Sequence, residues 1–192
     1  MTKLDEILVH NTKFVEEKGY EPFATSNLPD KRLVVLSCMD TRLTELLPKA
    51  MNLRNGDAKF IKNAGAVVTH PYGSVMRSIL VAVYELTADE VIVVGHHGCG
   101  MSSLNAASML DKMRHRGVSE DTLQQVNEQG VHLNSWLTGF HDIRESIQDT
   151  VDIIRSHPLL PKDVYVHGLV VDPQTGSLDV VDSGYVFGVE AN

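Results

Sequence analysis

A chain of 192 residues with 43% hydrophobic and 22% charged side chains carries enough apolar material for a core, which excludes an intrinsically disordered protein. Its formal net charge of −8 argues against nucleic acid or an anionic membrane surface as a partner, since both call for clustered Lys and Arg. No apolar run approaches the roughly 20 residues that span a bilayer, and Met1-Thr2-Lys3-Leu4-Asp5-Glu6 lacks the pattern of a secretory leader. A cytoplasmic protein with reduced thiols is therefore expected.

Residues 2–18 place Leu4, Ile7, Leu8, Phe14 and Val15 at helical spacing, and Gly19 ends the pattern. From Glu21-Pro22 to Pro29-Asp30 the chain reads as a loop. A β-branched run over 32–37 predicts a first strand, and 58–61, 90–95 and 163–171 predict three more. After the turn Asp172-Pro173-Gln174-Thr175-Gly176, residues 177–182 can form a fifth strand antiparallel to the fourth. Helical patterns fill 71–86, 101–113 and 134–154. This alternation predicts an α/β fold, a mostly parallel sheet flanked by helices. It forms one domain over 1–192 with an N-terminal helical arm at about 2–18.

In such sheets, sites form at the carboxyl ends of strands. Both cysteines of the chain fall there: Cys38 after the first strand, Cys99 just beyond the third. His96 precedes Cys99 by three positions, and Asn63-Ala64-Gly65 follows the second strand on the same rim. Two cysteines and a histidine form a three-ligand zinc set whose fourth tetrahedral position stays open to water or substrate, the mark of a catalytic metal. Two thiolates cancel the charge of the ion, so its bound water should titrate higher than on a three-histidine site.

Asp40 and Arg42, in Cys38-Met39-Asp40-Thr41-Arg42, complement that site. An ionised aspartate only accepts hydrogen bonds. Beside zinc-bound hydroxide it would take the O–H and turn a lone pair towards an electrophile. Arg42 could hold Asp40 through a paired hydrogen bond and keep it ionised. The spacing equally allows Asp40 to swing onto the metal as a fourth ligand and close the site.

A lone buried cysteine is usually a small core residue, and the two short motifs are each weak alone. Their joint placement on one rim carries the metal reading. Gly95, Gly98 and Gly100 fit neither phosphate-binding fingerprint and read as backbone freedom around the ligands. His97 and the seven scattered histidines read as surface or structural, and Trp136 as core or subunit interface.

Cys38-Met39-Asp40-Thr41-Arg42, Lys62-Asn63-Ala64-Gly65-Ala66 and Val93-Val94-Gly95-His96-His97-Gly98-Cys99-Gly100 resemble the β-class carbonic anhydrases, closest to their compact, archaeal-like branch. His157-Pro158-Leu159-Leu160-Pro161 and the stretch from Gly168 to Leu178 resemble the closing segment of that family. The resemblance implies zinc on Cys38, His96 and Cys99, an Asp40–Arg42 dyad, and reversible hydration of carbon dioxide to bicarbonate by zinc-bound hydroxide. It implies a substrate pocket near Gly65 and Val67, a sheet order of 2-1-3-4, and a homodimer or higher homo-oligomer with the N-terminal helix packed on the partner. Fuller members carry a pocket glutamine, and residues 19–31 contain none. Two alternatives stand beside this: hydrolysis of carbon disulfide or carbonyl sulfide on the same zinc, and a non-catalytic zinc or thiol binding module.

Overall fold

The computed structural model describes residues 1–185; residues 186–192 of the expected domain lie outside the described residues. Five strands, β1 (Leu33–Cys38), β2 (Ala58–Asn63), β3 (Glu90–His96), β4 (Tyr165–Val171) and β5 (Leu178–Asp182), form one sheet in the order β2-β1-β3-β4-β5. The pairs β1–β2, β1–β3 and β3–β4 are parallel, and β4–β5 is antiparallel. The expected order 2-1-3-4 holds, with the fifth strand at the edge.

Every residue of β1 is buried, as a near-continuous apolar run covered on both faces should be. The two-residue side-chain period splits its apolar residues between two cores. Val34 and Leu36 join Val91, Val93 and Val166 under α3 (Ser74–Tyr84) and α7 (Ile143–Arg155), which contribute Met76, Ile79, Ile147, Val151 and Ile154. Leu33 and Val35 pack on the opposite side with Leu43 and Leu47 of α2 (Leu43–Ala50) and with the two cysteines. A third, separate cluster of Ala106, Leu123, Leu133 and Leu137 ties together α4 (Ala106–His115), α5 (Glu120–Glu128) and α6 (Leu133–Trp136).

Helix α1 (Lys3–Glu16) begins at a capping box in which Thr2 and Asp5 exchange hydrogen bonds, and it buries no residue. The expected helix over 134–154 is instead two. A Cβ on Gly139 would stand 1.7 Å from the Met101 carbonyl oxygen, so the chain crosses the 101–104 segment there in irregular backbone. Asp142 then restarts the helix by accepting from the N–H groups of Arg144 and Glu145. The expected helix over 101–113 starts later, at Ala106, where the Asn105 side chain caps the Ser108 N–H. Trp136 is 66% exposed, so it is not core.

Candidate metal centre

Parallel registry sets the site. Cys38 ends β1 opposite Asn63 at the end of β2, and His96 ends β3 opposite Val171. The carboxyl ends of the strands thus bring Cys38, His96 and the following Cys99 together, with their ligand atoms all within 4.8 Å of one another. All three residues are buried.

The donor set fits a tetrahedral metal. Two sulfurs each about 2.3 Å from zinc at the tetrahedral angle would lie about 3.8 Å apart. The Cys38 and Cys99 sulfurs are 3.8 Å apart and form no disulfide. The His96 ring donates from Nδ1 to the His97 carbonyl at 3.0 Å, while its buried Nε2 has no hydrogen-bond partner. That carbonyl fixes the tautomer in which Nε2 carries the lone pair, as an imidazole ligand requires. A buried nitrogen without a partner is costly, and an ion beside two sulfurs would satisfy it.

Electrostatics sharpen the arrangement. Burial pushes the Cys38 thiol up, yet the neighbouring His96 ring and the N–H of Gly65 outweigh it and bring the thiol to about 7. Cys99 moves the other way, to about 11, through burial and then the charge of Cys38. The pair in isolation therefore favours one thiolate; a divalent cation would favour two. The Gly65 N–H that donates to Cys38 Sγ at 3.4 Å comes from a residue with φ of 86°, a conformation that favours glycine.

Asp40 and Arg42 form the fork expected of them. Arg42 Nε donates to Oδ1 at 3.0 Å and Nη2 to Oδ2 at 2.8 Å, while the Arg42 backbone N–H also donates to Oδ1. The guanidinium holds the Asp40 carboxyl well below the usual carboxylate range. Asp40 Oδ2 lies 3.7 Å from His96 Nε2, so the dyad borders the cluster.

Gly65 also stands beside this group: a Cβ there would meet Met101 and Phe140, each at 3.1 Å. Val67 is fixed by Asn63, whose side chain accepts from its N–H at 3.1 Å and donates to its carbonyl at 2.7 Å. The helical patterns over 101–113 and 134–154 hide Met101 and Phe140, which lie instead in a 3-10 turn (Gly100–Ser103) and in the irregular segment between α6 and α7. His97 is exposed, as expected, and its Nε2 lies 3.8 Å from Asp179. Of the scattered histidines, His157 and His167 are buried, each accepting a backbone N–H at Nδ1, from Leu159 and Gly184 respectively.

A family model described as carbonic anhydrase matches residues 33–178. The chain is 60% identical over 185 residues to a Bacillus subtilis protein provisionally named carbonic anhydrase YvdA, covering 96% of this chain and 94% of that one. A carbon disulfide hydrolase of Acidithiobacillus thiooxidans is 28% identical over 157 residues, covering 78% and 76%. Among solved structures, β-carbonic anhydrase isoform I of Trichomonas vaginalis superposes with a TM-score of 0.86 at 30% identity, covering 96% of this chain and 100% of that one.

Proposed function

The chain belongs to the β-class carbonic anhydrase family, and from that premise we propose that it hydrates carbon dioxide reversibly to bicarbonate on zinc held by Cys38, His96 and Cys99. The observation that carries this reading is the ionised, Arg42-clamped Asp40 carboxylate 3.7 Å from the bare His96 Nε2. A purely structural metal site has no use for an acceptor at its edge.

Zinc, when bound, supplies a hydroxide nucleophile at neutral pH. The chain supplies direction. The Asp40 carboxylate would accept the O–H of that nucleophile and so orient its lone pair towards the carbon of the substrate. Arg42 keeps that carboxylate ionised and fixed in rotation, so that no reorientation is needed at the moment of attack. Gly65 and Val67, backed by Met101 and Phe140, offer the apolar wall on which a nonpolar molecule rests.

Carbon disulfide hydrolysis is the second reading, favoured by the relatives of that name at 28% to 30% identity. The 60% identity to a protein named for carbon dioxide chemistry puts it second. A homodimer belongs to the proposal, because α1 leaves Leu4, Ile7, Leu8 and Val15 more than half exposed and an apolar face of that kind needs cover. So does a cytoplasmic location, which suits two thiols that must stay reduced to bind metal.

The decisive experiment measures zinc content and the hydration of carbon dioxide for the wild type and Asp40→Asn, with carbon disulfide as a parallel substrate. We expect one zinc per chain in both proteins and hydration reduced at least a hundredfold in the variant, in line with the loss of one positioned catalytic group. Full activity in metal-free protein would end the zinc reading. Turnover of carbon disulfide alone would reassign the substrate.

A further inference from the structure

Helix α7 lines a groove of about 390 Å³ against the segment Val67–Val68–Thr69. Its floor holds two hydroxyls one helical turn apart, on Ser146 and Thr150, which are only 8% and 2% exposed. Elsewhere Thr12, Ser78 and Thr138 return their hydroxyls to the carbonyl four residues back. Ser146 and Thr150 do not: neither hydroxyl is hydrogen-bonded to another described residue, and both residues line the groove. Buried hydroxyls without partners are uncommon enough to need a reason.

The rim supplies a second feature. Glu145 and Asp149 stand one turn apart beside the groove, a like-charge pair that disfavours the helix by a few tenths of a kcal/mol. Neither is in an ion pair among the described residues. Arg144, the adjacent cation, sends its guanidinium to the Val180 carbonyl instead. Asp142, also on the rim, spends Oδ1 on the helix cap. No three of the acidic and imidazole groups here converge as metal ligands; among the described residues only Cys38, His96 and Cys99 do. The walls are mostly apolar, Val67, Val68, Phe140 and Ile153, with Thr69 and His141 also lining the groove.

We propose that this groove binds a small organic ammonium ion with an apolar body. The ammonium group sits between the Glu145 and Asp149 carboxylates and donates to the Ser146 and Thr150 hydroxyls, while the body lies on Val68, Phe140 and Ile153. A hard metal ion would need converging oxygens, and an anion would meet three carboxylates. An organic cation satisfies the rim, the floor and the walls together. The groove shares Val67 and Phe140 with the wall proposed for carbon dioxide, but the groups that would hold the ammonium all come from α7, so its binding can be read apart from turnover.

The test titrates zinc-loaded, full-length protein with phenethylammonium chloride, followed by backbone amide NMR shifts, with 2-phenylethanol as the uncharged control. Saturable binding with shifts centred on residues 67–69 and 145–150 is expected, at least fivefold tighter for the ammonium than for the alcohol. Glu145→Gln and Asp149→Asn should each weaken it by roughly two- to fivefold, as for a partly exposed ion pair. Thr150→Val, which keeps the shape and removes the hydroxyl, should weaken it by roughly fivefold. If that variant fails to fold, Ser146→Ala reads the same layer. Equal affinity for the alcohol, indifference to both carboxylate variants, or shifts mapping elsewhere would overturn the proposal. Amide-exchange protection of residues 145–150 that appears on dimerisation, showing that a second copy of the chain buries the groove, would overturn it as well.

Discussion

Gly95 sits one residue before the histidine of the metal cluster, with the side chains of α7 directly beneath it. A Cβ at that position would lie 2.6 Å from Ile143 Cδ1 and 2.9 Å from both Cδ1 and Cγ1 of Ile147. Carbon atoms in contact settle at about 3.5–4.0 Å, so Gly95→Ala demands a displacement of roughly 1 Å. Ile143 can yield by rotating its terminal methyl; Ile147 is fully buried, and its Cγ1 has little room to move. Overpacking of this kind costs about 1–3 kcal/mol. Alanine also reduces the freedom of the unfolded chain, which returns about 0.4–1 kcal/mol where the backbone suits it, as it does here because φ is not positive. Three contacts under 3.0 Å put the steric cost in the upper half of the overpacking range, about 2–3 kcal/mol, leaving a net loss of about 1–2 kcal/mol. For a chain of this size that lowers the melting temperature by roughly 2–8 °C at fixed protein and zinc concentration. The second substitution Ile143→Val, which removes the nearest carbon, should recover part of the loss in a double-mutant cycle. Scanning calorimetry of the four proteins checks both statements. A Gly95→Ala protein that melts at or above the wild type would refute the packing argument.

Three other substitutions test separate parts of the molecule. Arg42→Ala should free the Asp40 carboxylate to compete for the fourth position of the metal, so activity appears only at higher pH. A pH–rate profile matching the wild type, with zinc retained, would make the dyad dispensable. Arg155 holds the Asp182 carboxyl below its usual value through bonds at 2.8 and 3.1 Å, against the opposing effect of burial and with help from Gln148. The folded value is the depressed one. This contribution is therefore present above an unfolded aspartate's pKa of about 3.9 and lost as pH falls through the folded value. Arg155→Met should flatten the acid limb of a urea-stability profile below about pH 4 and leave the neutral limb parallel to the wild type. Deletion of residues 1–18 should shift the protein to monomer in sedimentation velocity at micromolar concentration, since that segment carries the uncovered apolar stripe.

β1, β3 and β4 were legible because each is a short, largely buried run rich in β-branched residues; β2 has a single β-branched residue, Ile61, buries none, and runs two residues past the expected 58–61. The ligand set was legible because three residues of two ligating types, two cysteines and a histidine, fall at two strand ends. Two helices were not. Helix α2 carries Pro48 in its last turn, which reads as a breaker, yet Leu43 and Leu47 anchor it one turn apart in the core. Helix α5 buries only Leu123, so its pattern lacks a stripe; its sole marker is the Ser119 cap followed by Glu120 and Asp121. The break at Gly139 is set by contact with a segment some forty residues earlier in the chain, and no local window contains that information. The hydrogen bond from the Gly65 backbone to the Cys38 sulfur was equally hidden, since a main-chain donor leaves no residue type to read.

The separate apolar cluster of α4, α5 and α6 bears on how the molecule opens. Four buried residues hold that module together, against seventeen in the core that α3 and α7 form with the sheet. A unit with so small a core unfolds at lower free energy than the sheet it rests on, as a cooperative piece of its own. Amide hydrogens of residues 106–136 should therefore exchange together and early, while those of β1 and β3 wait for global unfolding. The excursion need not disturb Cys38 and His96, which end two interior strands, and the His97 N–H is tied to the Val171 carbonyl. Native-state fluctuation and the candidate ligands at the strand ends are in this way assigned to different parts of one chain.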